Sequence, residues 1–301
     1  MKSKTATDHA QRMKGVTLAV AAYFVFSLQD ATVVWLVADN SVWEILFVRS
    51  VTAALLCLAL GRGALMRRAM ASSRKGPLLL RGAVILSAWL CYYSAARRLG
   101  LAELTTIYFA APMMVTAMSV VLLRESVSWW RWAGTAVGFV GVIIACDPAG
   151  VGLSAAVGLV LLSAVLWAYS GILVRQISAH ESTPTQMLFS NALFALACGV
   201  TLPWTWTQPG LGELALMAAL GLIGAGAQYL IIESYRLAPA SLVAPFEYSS
   251  LVWAFILTYV IWADLPRTAV FLGAAVIILS GLLVVFGEWR SGRAMATNPR
   301  V

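Results

Sequence analysis

Apolar residues fall in ten blocks along the chain, at about 15–37, 41–61, 79–98, 104–123, 130–146, 154–175, 184–204, 212–234, 239–262 and 268–287. Each block is near the roughly 20 residues that an α-helix needs to cross bilayer hydrocarbon. The links between them are short and leave no room for a separate soluble domain. The pattern predicts an all-α integral membrane protein of ten transmembrane helices, with polar tails at 1–14 and 288–301.

The blocks also repeat. Leu99–Ala145 and Leu237–Val285 each give an apolar helix with a proline, a short acidic turn and a glycine-studded apolar helix. At an offset of 143, Gly15 falls on Gly158, Phe24 on Trp167 and Ser27 on Ser170. At 142, Glu44 falls on Gln186, Phe47 on Phe189 and Arg49 on Asn191. At 138 the Arg98-Leu99 turn falls on Arg236-Leu237 and Leu104 on Leu242; at 139 Glu125 falls on Asp264 and Gly134 on Gly273. The unit 15–146 therefore recurs as 154–287. It holds five crossings, and an odd number turns the second copy upside down relative to the first. Inverted repeats of this kind are the arrangement of alternating-access carriers.

Only 11% of the 301 residues are charged, against about 25% in a soluble protein. The net charge of +8 raises nucleic-acid binding, but the placement of the charge argues for topology instead. Seventeen basic residues, among them Arg62, Arg67, Arg68, Arg74, Lys75 and Arg81 in the 62–81 region, fall at ends that face one side. Arg97, Arg98 and Arg267 alone fall at the other, and Arg49 lies within a block. By the positive-inside rule both termini are cytoplasmic. The first block is too long for a signal-peptide core and reads as a retained helix. Cys57, Cys91, Cys146 and Cys198 read as small packing residues, and His9 and His180 suggest no metal site.

The stretches AVLWAYSGILVRQ at 164–176 and IYFAAPMMVTAMSVVLLRESVSWWRWAGTAVGFVGVIIA at 107–145 resemble the ten-helix, EamA-like bacterial members of the drug/metabolite transporter superfamily. The resemblance spans about 15–287 and rests on helix packing and turns, so it speaks to fold more than to substrate. It implies two inverted five-helix repeats around a cavity lined mainly by the first, third, fourth, sixth, eighth and ninth helices. It also implies alternating access in a bacterial inner membrane, as a monomer or homodimer. Export of an amino-acid-like or aromatic metabolite is the preferred direction; uptake of a vitamin, nucleoside or cofactor such as riboflavin is the alternative.

Ionisable groups inside spanning helices are costly and face a cavity or a partner. Asp30 and Arg49 sit at nearly the same depth in adjacent helices, which predicts that they pair, either as a fixed ion pair or with Arg49 released to hold a substrate carboxylate. Glu247 follows Pro245, and Pro112 gives the fourth helix its own hinge at a different depth. Asp30 and Glu247 are the candidates for proton coupling. Candidate substrate-binding residues are Ser27, Asp30, Arg49, Trp89, Tyr92, Tyr93, Tyr108, Trp167, Ser170, Asn191, Gln228, Glu247 and Tyr248. The aromatics among them suit a ring-bearing solute. Trp129, Trp130, Trp132, Trp204, Trp206 and Trp262 fit the interfacial belt, and Glu233 is placed to reach water near a helix end. Glu125 and Asp264 read as helix caps, and Gly221, Gly224 and Gly226 as close-packing residues.

No phosphate-binding loop, GxSxG, HExxH or Cys/His constellation is present in the sequence, so direct ATP drive and enzymatic chemistry are disfavoured. No cofactor is expected. The expected function is secondary transport of a small organic solute, with a channel or membrane-embedded enzyme as weaker classes.

Overall fold

The structure, a computed structural model, describes residues 2–123, 129–146, 154–238, 243, 246–247 and 249–297. The helices are α1 (Lys2–Leu36), α2 (Val42–Ala71), α3 (Lys75–Ala96), α4 (Leu101–Tyr108), α5 (Ala110–Leu123), α6 (Trp129–Cys146), α7 (Ala155–Ile177), α8 (Thr183–Thr205), α9 (Leu211–Leu237), α10 (Ser249–Trp262) and α11 (Thr268–Thr297). No strand occurs among the described residues. Among the described residues, seven helical stretches are long and apolar enough to cross a membrane: Met13–Leu36, Val42–Gly61, Lys75–Ala96, Leu101–Leu122, Ala155–Val174, Thr183–Thr205 and Leu211–Leu237. Trp132–Ala145, Ser249–Trp262 and Thr268–Leu283 are shorter apolar helices. These segments lie on the blocks read from the sequence.

Local chemistry sets the ends. Ser154 and Ser182 accept from the amides of Val157 and Thr185 at 3.3 and 3.4 Å, capping α7 and α8. Glu213 reaches back to the Gly210 amide at 2.8 Å to begin α9. The fourth block is split at Phe109, whose amide is shared between the Thr105 and Thr106 carbonyls at 3.2 Å each. Pro112, three residues on, lacks the N–H that would bond Tyr108 and crowds that carbonyl, which accounts for the break. Pro245 lies outside the described residues, as does Glu125. Asp264 is exposed and bonds none of the described α11 amides, so the capping role expected for it is not realised.

The helices pack in a two-fold pattern. α2 packs on α8 and α6 on α11, each meeting its own repeat counterpart. The pairs α1 with α9 and α3 with α7 exchange under the same swap, as do α1 with α10 and α7 with α5. Glycines permit the closest approaches. A Cβ at Gly221 of α9 would lie 2.5 Å from the Arg49 carbonyl oxygen of α2, and one at Gly273 of α11 would lie 2.5 Å from the Gly141 carbonyl of α6. Gly226 has nothing within 4 Å and takes no part.

Loop contacts sort into two groups. At one end Arg97 donates to the Asn40 carbonyl at 2.7 Å, Asn40 to Glu213 at 3.2 Å, and Arg267 pairs with Glu103. Glu44 of α2 belongs to the same end; it accepts from both the amide and the hydroxyl of Thr207, at 3.2 and 2.6 Å. At the other end Ser72 donates to Glu181 at 2.5 Å, and Glu233 takes bonds from Thr183 at 2.6 Å and Arg236 at 2.7 Å. Glu233 is thus held by partners rather than merely reaching for water. Glu44 is fully buried but Thr207 is exposed and its donors can turn to water, so Glu44→Ala is expected to lower stability by only about 1 kcal/mol, read as a small drop in detergent melting temperature.

Arg81 departs from its expected place. Instead of standing among the solvated basic residues of its loop it is 4% exposed within α3, donating to Ser190 of α8 at 3.0 Å. Trp129, Trp132, Trp204, Trp206 and Trp262 are exposed at helix ends, and Trp130 is half-buried.

Candidate functional site

Five stretches of chain converge on one internal cavity. α1 supplies Tyr23, Phe26 and Asp30; α3 supplies Ala88, Trp89 and Tyr92; α4 supplies Thr105 and Tyr108. α7 adds Ser163 and Trp167, and Glu247 with Ser250 closes the wall at the start of α10. The space is about 560 Å³ with its open mouth and the adjoining solvent included. Helical spacing builds this wall: Tyr23, Phe26 and Asp30 are three and four apart, as are Trp89 with Tyr92 and Ser163 with Trp167. α9, expected from the resemblance to line the cavity, supplies none of these residues.

The rings interlock edge to face. Tyr92 meets Tyr108 at 5.2 Å between centroids, Tyr108 meets Trp167 at 6.4 Å, and Trp167 meets both Trp89 at 6.4 Å and Phe26 at 6.2 Å. Phe24, the repeat partner of Trp167, turns away and packs on Trp253 at 4.7 Å.

The acidic groups lie on this wall. Tyr92 donates to Asp30 Oδ2 at 3.2 Å, and the Tyr23 hydroxyl faces the Glu247 carboxylate with Tyr235 beyond it. Glu247 is 6% exposed. Ser163 spends its proton on the Ala88 carbonyl at 2.9 Å, which joins α7 to α3. The Thr105 hydroxyl is buried without a hydrogen-bond partner.

The pairing expected between Asp30 and Arg49 does not form. Arg49 points behind the wall: its guanidinium lies 3.9 Å from the centre of the Trp89 ring and donates to the Tyr93 hydroxyl at 2.9 Å. Trp89 and the Tyr92–Tyr93 pair therefore separate the two charges. The choice is local, because Gly224 of α9 leaves a gap in which the guanidinium and the Gln29 amide both rest. Gln29 is 1% exposed with neither amide atom bonded, and the sequence reading passed over it.

Of the other candidates, Ser27 bonds the Tyr23 carbonyl at 2.9 Å and the Ser250 carbonyl at 3.4 Å, at the seam between α1 and α10. Asn191 bonds Gln228 at 3.2 Å and thereby ties α8 to α9. These three, with Tyr93, Arg49 and Ser170, lie outside the lining of this cavity; Tyr248 lies outside the described residues. The reading missed Tyr23, Phe26, Ala88, Thr105, Ser163 and Ser250. Each stands within four residues of one it did name, so extending the helical faces would have found them. Among the described residues no His, Cys, Asp and Glu cluster could hold a metal.

The model of the EamA-like transporter family matches the chain twice, over residues 13–146 and 154–286. An S-adenosylmethionine uptake transporter of Rickettsia prowazekii is 25% identical over 225 residues, which is 75% of this chain and 76% of that protein. A riboflavin transporter of Vibrio cholerae is 30% identical over 207 residues, 68% of each chain. The pseudopaline exporter CntI of Pseudomonas aeruginosa is 28% identical over 275 residues, 88% of this chain and 94% of that one. A solved crystal structure superposes with a TM-score of 0.71 at 17% identity, covering 94% of this chain and 98% of the other, which shows a shared fold. Two family matches in tandem, a helical bundle of membrane-length segments and relatives that are all transporters lead to one assignment: the chain is a member of the EamA-like transporter family of drug/metabolite transporters.

Proposed function

We propose that the chain is a secondary active transporter that carries a small ring-bearing solute through this cavity by alternating access. Residues 15–146 and 154–287 form two inverted repeats of five crossings each in a bacterial inner membrane, with both termini cytoplasmic. The observation that carries the reading is the pair of carboxylates, Asp30 and Glu247, on the wall of an aromatic cavity inside the bundle. A carboxylate in a low-dielectric site is unfavourable unless it meets a proton, a hydrogen bond or a positive charge. A cycle in which these groups gain and lose protons links solute movement to the proton gradient.

Uptake is the first reading, after the S-adenosylmethionine and riboflavin relatives. Export is the second, favoured by the exporter relative that matches over nearly its whole length. Reconstitution into proteoliposomes tests both. Saturable solute movement that responds to an imposed pH gradient is expected, and its sign gives the direction. Asp30→Asn and Glu247→Gln are each expected to cut gradient-driven accumulation about tenfold while leaving folded protein, consistent with loss of about 1.4 kcal/mol or more of coupling. Flux without saturation would point to a channel instead.

A further inference from the structure

We infer that the cavity selects an organic cation, a solute bearing an onium or protonated amine group beside a flat ring. The inference rests on the carrier reading above and names its substrate class. Two carboxylates, Asp30 and Glu247, stand on the wall, and the lining holds no basic side chain among the described residues. The nearest guanidinium, Arg49, lies on the far side of the Trp89 ring, held by that ring and by Tyr93. Two carboxyl groups thus face the space, and the nearest positive charge lies outside it. A solute carboxylate entering here meets no cation on this wall, whereas a solute cation meets two carboxyl groups that can give up their protons in exchange for it.

The rings point to the same class. Tyr23, Phe26, Trp89, Tyr92, Tyr108 and Trp167 surround the space. Aromatic faces attract a desolvated cation through the ring quadrupole, and this attraction needs no hydrogen-bond donor on the solute. That suits sulfonium and quaternary ammonium groups, which have no N–H to offer. The edge-to-face contacts among Phe26, Trp89, Tyr92, Tyr108 and Trp167 hold their orientations before the solute arrives.

Matched probes that differ by one fixed positive charge provide the test. S-adenosylmethionine and S-adenosylhomocysteine share a scaffold with an α-ammonium and an α-carboxylate, and the second lacks the methyl group and the sulfonium charge, so this pair reads the sulfonium alone. Phenyltrimethylammonium and tert-butylbenzene form a second pair of equal shape. Binding to the purified full chain in detergent is measured by titration calorimetry and thermal shift, alongside a broad metabolite panel. Phenyltrimethylammonium is expected to bind about tenfold more tightly than tert-butylbenzene, or S-adenosylmethionine about tenfold more tightly than its twin without the sulfonium. Glu247→Gln and Asp30→Asn are each expected to shrink that ratio, and either suffices if the other fails to fold. Equal binding within every pair that binds, or a panel in which only neutral and anionic solutes shift the melting temperature, overturns the inference and leaves the carrier reading standing. A panel in which nothing binds removes the carrier reading and the inference with it.

Discussion

Gly221→Leu is expected to abolish recovery of monodisperse protein. A side chain at this position begins 2.5 Å from the Arg49 carbonyl oxygen and 2.6 Å from Thr52 Cβ, so it meets backbone that has no rotamer to change. Relief requires α2 and α9 to move apart, and that movement also strips the packing from Arg49. Overpacking a close interface costs about 3 kcal/mol. Here the displaced segment carries a buried guanidinium held by Tyr93 and Trp89, so the loss is expected at or above that value. Fluorescence-detected size exclusion and melting in detergent measure it. Gly226→Ala is the control: nothing lies within 4 Å of that site, and the change is expected to be neutral or slightly stabilising. Equal behaviour of the two variants would refute the close-contact account.

Trp89→Ala is the second large expected effect, and it acts on stability and selectivity together. The indole stands between the Arg49 guanidinium at 3.9 Å and the cavity, and meets the rings of Tyr93 at 5.2 Å and Trp167 at 6.4 Å. Removing it takes away a large, half-buried ring and lowers stability by about 3 kcal/mol. It also opens Arg49 to the space that Asp30 faces. The guanidinium then competes with any cationic solute for the carboxylates, and cation affinity is expected to fall by at least about tenfold. Trp89→Phe keeps a ring face over Arg49 and is expected to retain most of both properties. Unchanged cation affinity in Trp89→Ala, in protein shown to be folded, would mean that the ring does not insulate Arg49.

The membrane architecture was legible because hydrocarbon demands long apolar helices. Seven of the blocks carry described helices of membrane length and three carry shorter apolar helices. Residue chemistry was readable as type but not as direction. Asp30 and Arg49 were identified as buried charges at matching depth, yet depth says nothing about azimuth, and the gap at Gly224 draws the guanidinium behind Trp89. Arg81 shows the same limit, since its place near a loop suggested water whereas its face of α3 meets Ser190. Asn191 and Gln228, sound candidates by polarity, bond each other and settle into a helix seam. The break at Phe109 followed from Pro112, a rule of covalent geometry that needs no tertiary context.

The packing of α2 on α8 and α6 on α11 carries a consequence for how the protein is made. Each is a contact of like with like, as between the two copies in a symmetric dimer, so neither half completes its own interior. Arg49 is synthesised early and rests against Gly224, some 175 residues later in the chain. At about 5–20 residues per second, translation leaves that guanidinium without its α9 neighbour for roughly 10–35 seconds. Membrane biogenesis factors that shelter a lone intramembrane charge would act in that interval. Slower elongation through the second half would lengthen it and should increase degradation of the nascent chain.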